Sequence, residues 1–166
     1  MNIIVAVCKG GGIGKDGKIP WKIKKDLEWF KKETTRGEKN AVIMGRKTWE
    51  SLPFKPLPDR KNIVLSSLSL PDVECVKSFE EALKIVKEYD NIYVIGGEKV
   101  YKEALKHKLL KYVYITYIYE SFPCDRFFKY PILSTRKKQF KLEKISRLMC
   151  EKDIFFDHRV YKVIDL

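Results

Sequence analysis

Asp26 is the carboxylate with most chemical potential in this sequence, set in the stretch IPWKIKKDLEWFKKET at residues 19–34. A helix is expected from about Lys24, and on a 3.6-residue period Asp26 shares a face with Leu27 and Phe30, the apolar residues that would turn it inward. Lys24, Lys25, Glu28, Lys31 and Lys32 supply the polar side. A carboxylate on an apolar face is either an early-turn acid favoured by the helix dipole or a working group, and this stretch leaves both open. Two later turns could hold an anion. Gly45-Arg46-Lys47-Thr48 and Gly96-Gly97-Glu98-Lys99-Val100-Tyr101 each pass from a buried strand into a helix start, where free N–H groups and the dipole favour phosphate. Between them, Arg60 opens a strand that closes on Ser66 and Ser67, and these read locally as a surface charge and a turn. Gly12-Ile13-Gly14-Lys15-Asp16-Gly17 matches G-x-G-x-x-G, but Lys18-Ile19-Pro20-Trp21 keeps the chain extended where a dinucleotide fingerprint would open a helix.

The elements that must position these groups follow from the patterning. Residues 2–8 form an apolar run suited to a strand buried on both faces, followed by a mobile glycine-rich loop over 9–18. After the Asp26 helix and a turn at 34–40, short strands are expected at 41–44, 60–67, 73–76 and 91–95. Helices are expected after Gly45 up to Pro53, from Phe79 to about Tyr89 behind a Ser78–Glu81 capping box, and from Gly97 to about Lys108. VYITYIY within 112–119 is a strand, Phe122 to Leu133 a loop, and 137–146 a half-buried strand. After a turn at 149–153, residues 154–156 and 160–164 suggest an antiparallel hairpin. Strands alternate with helices up to residue 119 and then stand alone, which predicts one α/β domain over 1–166 with a mainly parallel sheet and antiparallel strands at its end.

Composition narrows the function classes. At 166 residues and 45% hydrophobic, the chain can bury a substantial core. No apolar run approaches the ~20 residues of a membrane-spanning helix, and the amino terminus carries no signal-like pattern, so a soluble, cytoplasmic protein is expected. The cysteines at 8, 75, 124 and 150 show neither metal spacing nor a disulfide framework, and neither His107 nor His158 has the setting of a metal ligand. The net charge of +12 draws anions, but the lysines alternate with acids along the helices rather than forming a basic arm.

Together these segments resemble dihydrofolate reductase over nearly the whole chain. The carriers are IVAV (4–7), IGKDGKIPW (13–21), DLEWFKKET (26–34), VIMGRKTWESL (42–52), PLPDRKNIVLSS (56–67), VIGGEKVY (94–101) and YITYI (114–118). The resemblance implies hydride transfer from NADPH nicotinamide C4 to pterin C6 of 7,8-dihydrofolate, giving tetrahydrofolate. The cofactor would carry the hydride and the protein would position the reactants and manage one proton. On the matching positions, Asp26 is the active-site acid, Thr116 its hydrogen-bond partner through water, and Trp21 the cover of that water. Ile4 and Ile95 would offer carbonyls to the pterin or to an antifolate inhibitor, Leu27, Phe30, Leu52 and Leu57 would clamp the rings, and Arg60 would bind the substrate α-carboxylate. Ala6, Ile13 and Gly14 would meet the nicotinamide side. Gly45, Arg46, Lys47, Thr48, Leu65, Ser66, Ser67, Gly96, Gly97, Glu98, Lys99, Val100 and Tyr101 would line the rest of NADPH, with Arg46, Ser67 and Lys99 near its 2′-phosphate. Gly96-Gly97 matches a family cis peptide, and the glycine-rich loop becomes a flap.

Three positions depart from the family pattern. Ile19 stands for a commoner Met or Leu, Cys124-Asp125-Arg126 for a commoner Gly-Asp-Thr whose Asp bonds the flap, and Lys99 for a longer arginine. Pyrimidine reductases of riboflavin synthesis share the fold and NADPH but lack the combined Pro-Trp, acid helix and Arg60. A basic nucleic-acid-binding module would explain the charge and leave the seven motifs without a reason. A monomer without nucleic-acid, membrane or metal partners is expected.

Overall fold

A computed structural model of the chain describes residues 1–128 and 137–166. Its elements run β1 (Asn2–Cys8), β2 (Gly12–Gly14), α1 (Lys24–Thr34), β3 (Asn40–Gly45), α2 (Arg46–Ser51), β4 (Lys61–Leu65), β5 (Glu74–Val76), α3 (Phe79–Ile85), β6 (Asn91–Gly96), α4 (Glu98–Lys106), β7 (Tyr112–Ile118), β8 (Arg126–Phe127), β9 (Lys138–Ile145), β10 (Met149–Glu151) and β11 (Ile154–Asp165). The main sheet has the order β10-β11-β7-β1-β6-β3-β4-β5, with β9 also on β11. Strands β1, β3, β4, β5, β6 and β7 are mutually parallel, and β9, β10 and β11 join antiparallel, as the patterning predicts.

Both faces of the sheet are covered, which is why β1 reads as a continuous apolar run. Ile3, Val5 and Val7 pack with Phe79, Ala82 and Leu83 of α3 and Val100, Tyr101 and Ala104 of α4. Ile4 points the other way, into a cluster with Val42, Met44, Val64, Tyr93 and Tyr114, over which Trp29 and Phe30 of α1 and Trp49 of α2 lie. Ser78 caps α3 as expected, its hydroxyl accepting from the Glu81 N–H at 3.2 Å.

Four expectations need correction. Leu27 is 56% exposed, because the contact face of α1 runs through Asp26, Trp29, Phe30 and Thr34, one step around the helix from it. The carboxyl-terminal segment is one unbroken strand, β11; its hairpin partner is β10, joined through Lys152 and Asp153, both at positive φ. The glycine-rich loop contains β2, and the expected loop after Phe122 contains its antiparallel partner β8; residues 129–133 of that expectation lie outside the described residues. Helix α3 ends at Ile85, short of Tyr89, where the Tyr89 N–H turns back to the Val86 carbonyl at 2.9 Å.

Candidate active site

The cleft begins where two central strands part. β1 lies in register with β7 from Asn2↔Tyr112 to Cys8↔Ile118, but with β6 only at Asn2↔Tyr93 and Ile3↔Val94. Beyond that point Ile4 and Ile95 have left the shared ladder, and the sheet opens at the carboxyl ends of its parallel strands. The Ile4 carbonyl accepts a 2.8 Å hydrogen bond from the buried Tyr101 hydroxyl, reaching across from α4.

On the α1 side of this opening, Ala6, Thr116 and His158 stand abreast on three neighbouring strands. Thr116 is buried between Tyr114 and Ile118, which fixes its hydroxyl, and that hydroxyl donates to Asp26 Oδ1 at 2.5 Å. His158 Nε2 lies 3.2 Å from the same oxygen. Among the described residues Oδ2 accepts no protein hydrogen bond, so this oxygen can meet a ligand donor. The start of helix α1 is held from outside the helix. Its N-cap, Ile23, has no capping side chain, and the Glu151 carboxylate of β10 instead accepts from the Lys24 N–H at 2.6 Å and the Lys25 N–H at 3.0 Å. These bonds hold the Glu151 carboxyl below its ordinary range.

Trp21 is buried in an adjacent cluster with Cys8, Ile23, Ile118 and Phe156, its ring 5.4 Å from that of Phe122. Phe30, Leu52 and Ile95 pack on the cluster that contains Leu57, so these four apolar residues share one wall; the exposed Leu27 is not part of it. At the far end of α1, Arg60 Nη1 donates to Thr34 Oγ1 at 2.9 Å and its Nε to the Pro58 carbonyl at 2.8 Å. Burial lowers the pKa of Arg60, opposed by the charge of Asp59; the guanidinium stays charged and is oriented before any anion arrives.

The second half of the cleft is made of main chain. Gly96 and Met44 are register partners, as are Gly45 and Leu65, so the ends of β6, β3 and β4 lie side by side, followed by Ser66 and Ser67. Neither α2 nor α4 has a capping side chain at its start, and a Cβ on Gly45 would lie 3.9 Å from the Gly97 nitrogen. Gly96 has φ of +134°, and a side chain there would come within 3.1 Å of Thr48 Oγ1. Glycine is therefore required where the two helix starts meet. The Gly96–Gly97 peptide is cis. Uncapped N–H groups beside Thr48 and the exposed Arg46, Lys47 and Lys99 suit a phosphate-bearing group. Arg46 contacts Glu50 at 3.4 Å in an exposed pair, and Glu98 contacts Lys102 at 3.1 Å. Val100 packs 3.4 Å from the position a Gly45 Cβ would take.

The glycine-rich segment is tied to the site by its partner strand. Asp125 Oδ2 accepts from the Asp16 N–H at 3.1 Å, and the Asp125 N–H donates to the Gly14 carbonyl at 2.9 Å, so the altered Cys-Asp-Arg sequence keeps this link. Ile13 packs on the core beneath. His158, Trp29 and Glu151 carry no role in the sequence reading. His158 had a detectable signal: it interrupts the inward alternation Phe156, His158, Val160, which is visible once β11 is read as one strand.

An open, mainly parallel α/β sheet with a hydrogen-bonded carboxylate and two joined helix starts at its strand ends is the architecture of a small ligand-binding enzyme of the α/β class. The profile of the family described as Dihydrofolate reductase matches residues 1–159. Dihydrofolate reductase from Schistosoma mansoni is 47% identical over 143 aligned residues, covering 77% of this chain and 77% of that protein. The Candida albicans dihydrofolate reductase is 40% identical over 170 aligned positions, covering 92% and 88%. A bifunctional dihydrofolate reductase-thymidylate synthase from Paramecium tetraurelia is 37% identical over 161 residues, covering 95% of this chain and 33% of that protein. The chain belongs to the dihydrofolate reductase family. It is thus an oxidoreductase of the class that reduces dihydrofolate to tetrahydrofolate with a nicotinamide cofactor.

Proposed function

We propose that this cleft takes NADPH as the nicotinamide cofactor and that Asp26 is the acid around which dihydrofolate is oriented. The observation that carries this reading is the Asp26 carboxylate, bound through Oδ1 to Thr116 and His158 while Oδ2 accepts nothing from the described residues. A carboxylate can take two N–H donors from the pterin's 2-amino group and N3 in a paired geometry. Ile4 and Ile95 would add carbonyl acceptors, and Phe30, Leu52 and Leu57, joined by Leu27 on ring binding, would enclose the rings. Arg60, already aimed by Thr34 and Pro58, would pair with the substrate α-carboxylate. Asp26 would favour protonation at pterin N5, with Trp21 keeping bulk water from the site.

The cofactor, when bound, supplies the hydride. The main chain around Gly45, Gly96 and Gly97 would bind its pyrophosphate, with Thr48 and the first turn of α4 from Glu98 to Tyr101 alongside. Ala6, Ile13 and Gly14 would border the nicotinamide, while Leu65 and Ser66 would border the adenosine. Arg46 and Ser67, with Lys47 and Lys99 nearby, favour a ligand bearing a 2′-phosphate. The exposed Arg46–Glu50 pair is worth only ~0.3–0.5 kcal/mol and would yield to it. Antifolates with a cationic amidine would use the same Asp26 oxygen. No helix among the described residues is long and apolar enough to cross a membrane; a monomeric, cytoplasmic enzyme of one domain over 1–166 is part of this proposal.

The test is dihydrofolate-dependent oxidation of NADPH by wild type and Asp26→Asn, with NADH in parallel. Wild-type turnover that prefers NADPH and falls by at least ~100-fold in the variant at pH 7 is expected. Equal rates for the two proteins would remove Asp26 from its role, and a preference for NADH would remove the 2′-phosphate assignment.

A further inference from the structure

Among the described residues His158 is the one side chain besides Thr116 that hydrogen-bonds to Asp26, and it is built in from three sides. Its ring stacks on Trp29 with centroids 3.9 Å apart and planes at 6°, and Phe156 lies 5.7 Å away. Its main chain is locked to Ser146, whose hydroxyl accepts from the His158 N–H at 2.9 Å and whose N–H donates to the His158 carbonyl at 2.8 Å. The side chain is 10% exposed and that of Asp26 15%.

We propose that His158 is a positioning residue for the reductase reaction, donating from Nε2–H to Asp26 Oδ1 so that the carboxylate is held in plane with Oδ2 toward the substrate. This rests on the reading of Asp26 as the substrate-orienting acid. With Thr116 and His158 converging on one oxygen, the carboxylate cannot rotate without breaking both bonds. The acceptor fixes the ring as the Nε2–H tautomer when neutral. Without this donor, Thr116 alone would hold the plane of the carboxylate.

The groups facing the ring leave Asp26 as its charged partner. Helix α1 presents Asp26 and the uncharged Trp29, β7 presents Thr116, the segment after β9 presents Ser146, and β11 itself presents Phe156. Asp157 and Arg159 alternate to the opposite sheet face, where Arg159 Nε donates to Asp157 Oδ1 at 2.7 Å and the Tyr119 hydroxyl donates to Asp157 Oδ2 at 2.5 Å.

The test compares wild type, His158→Phe, His158→Gln and Asp26→Asn. Phenylalanine keeps a ring on Trp29 without the donor; glutamine restores a donor without the ring. KM for dihydrofolate at pH 7 should rise about 10-fold in His158→Phe with kcat changed far less, and return toward wild type in His158→Gln. Binding of a 2,4-diaminopyrimidine, read by tryptophan fluorescence, should weaken by about 10-fold in His158→Phe at pH 7. In the wild-type protein, ¹⁵N spectra at pH 8 should show the Nε2–H tautomer for His158, a readout that needs no variant to fold.

A His158→Phe protein with unchanged KM and unchanged inhibitor binding, or a His158→Gln protein impaired as much as His158→Phe, would make His158 a packing residue and overturn the proposal, as would an Nδ1–H tautomer. If Asp26→Asn is impaired and KM of His158→Phe does not change, only this proposal fails. Full activity in Asp26→Asn removes the parent reading instead.

Discussion

Tyr101→Phe removes one oxygen at the point where α4 reaches into the gap between β1 and β6. The ring stays, with its edge-to-face contact to Phe128 at 5.3 Å and 77°, so apolar burial is nearly unchanged. What is lost is the 2.8 Å donation to the Ile4 carbonyl, which has left the ladder with β6. A buried neutral hydrogen bond whose acceptor is left behind costs about 1–2 kcal/mol. For a chain of this size that lowers Tm by about 2–8 °C. Urea unfolding at pH 7, followed by tryptophan fluorescence, should show the lower midpoint with an unchanged slope. Burial raises the Tyr101 pKa far above the usual phenol value. A group whose folded pKa is raised contributes fully below its unfolded pKa and loses that contribution as pH rises toward the folded value. The gap between wild type and variant should therefore hold to about pH 10 and narrow above it. Tyr93 and Tyr114, also raised mainly by burial, are common to both proteins and cancel in the difference. A gap below about 0.3 kcal/mol, or one constant from pH 7 to 11, would refute the reasoning.

Two further outcomes follow from groups that set the ends of α1. Glu151→Gln leaves at most one acceptor for the Lys24 and Lys25 N–H groups, so thermal unfolding should come earlier at pH 7. Because the Glu151 pKa is lowered in the fold, its contribution is present above the unfolded carboxyl value and lost as pH falls through the folded one, so the two melting curves should converge by about pH 3; an equal difference at pH 7 and pH 3 would contradict the cap. Arg60→Lys keeps the charge but not the fork held by Thr34 and Pro58. Steady-state kinetics should show KM for dihydrofolate rising about 10-fold with kcat changed far less, and an unchanged KM would remove Arg60 from the substrate site.

Groups that act through their own local sequence were legible before any fold was known. Gly96-Gly97 announces close main-chain approach because only glycine tolerates it, and the φ of +134° and the 3.1 Å clearance to Thr48 Oγ1 are that same fact in three dimensions. Ser78 and Glu81 cap a helix through a three-residue interval, so their bond is written into the spacing. Asp26 was legible only as a fork, since helical periodicity names a face without naming what that face meets. Its partners are 90 and 132 residues away. They become neighbours only through the register of β11 on β7, which puts His158 opposite Thr116. A shift of one residue in that pairing would turn His158 to the other sheet face, where Asp157 and Arg159 now pair. The same dependence hid Glu151, whose capping bonds span 126 and 127 residues. Leu27 failed in the opposite way: its apolar side chain satisfied the helix pattern, yet the tether of Asp26 to Thr116 and the seat of Trp29 on His158 rotated the contact face past it. In this chain the acid's surroundings are a property of strand register, and the register is enforced by Phe156 and Tyr161, buried on the two faces of β11 on either side of His158.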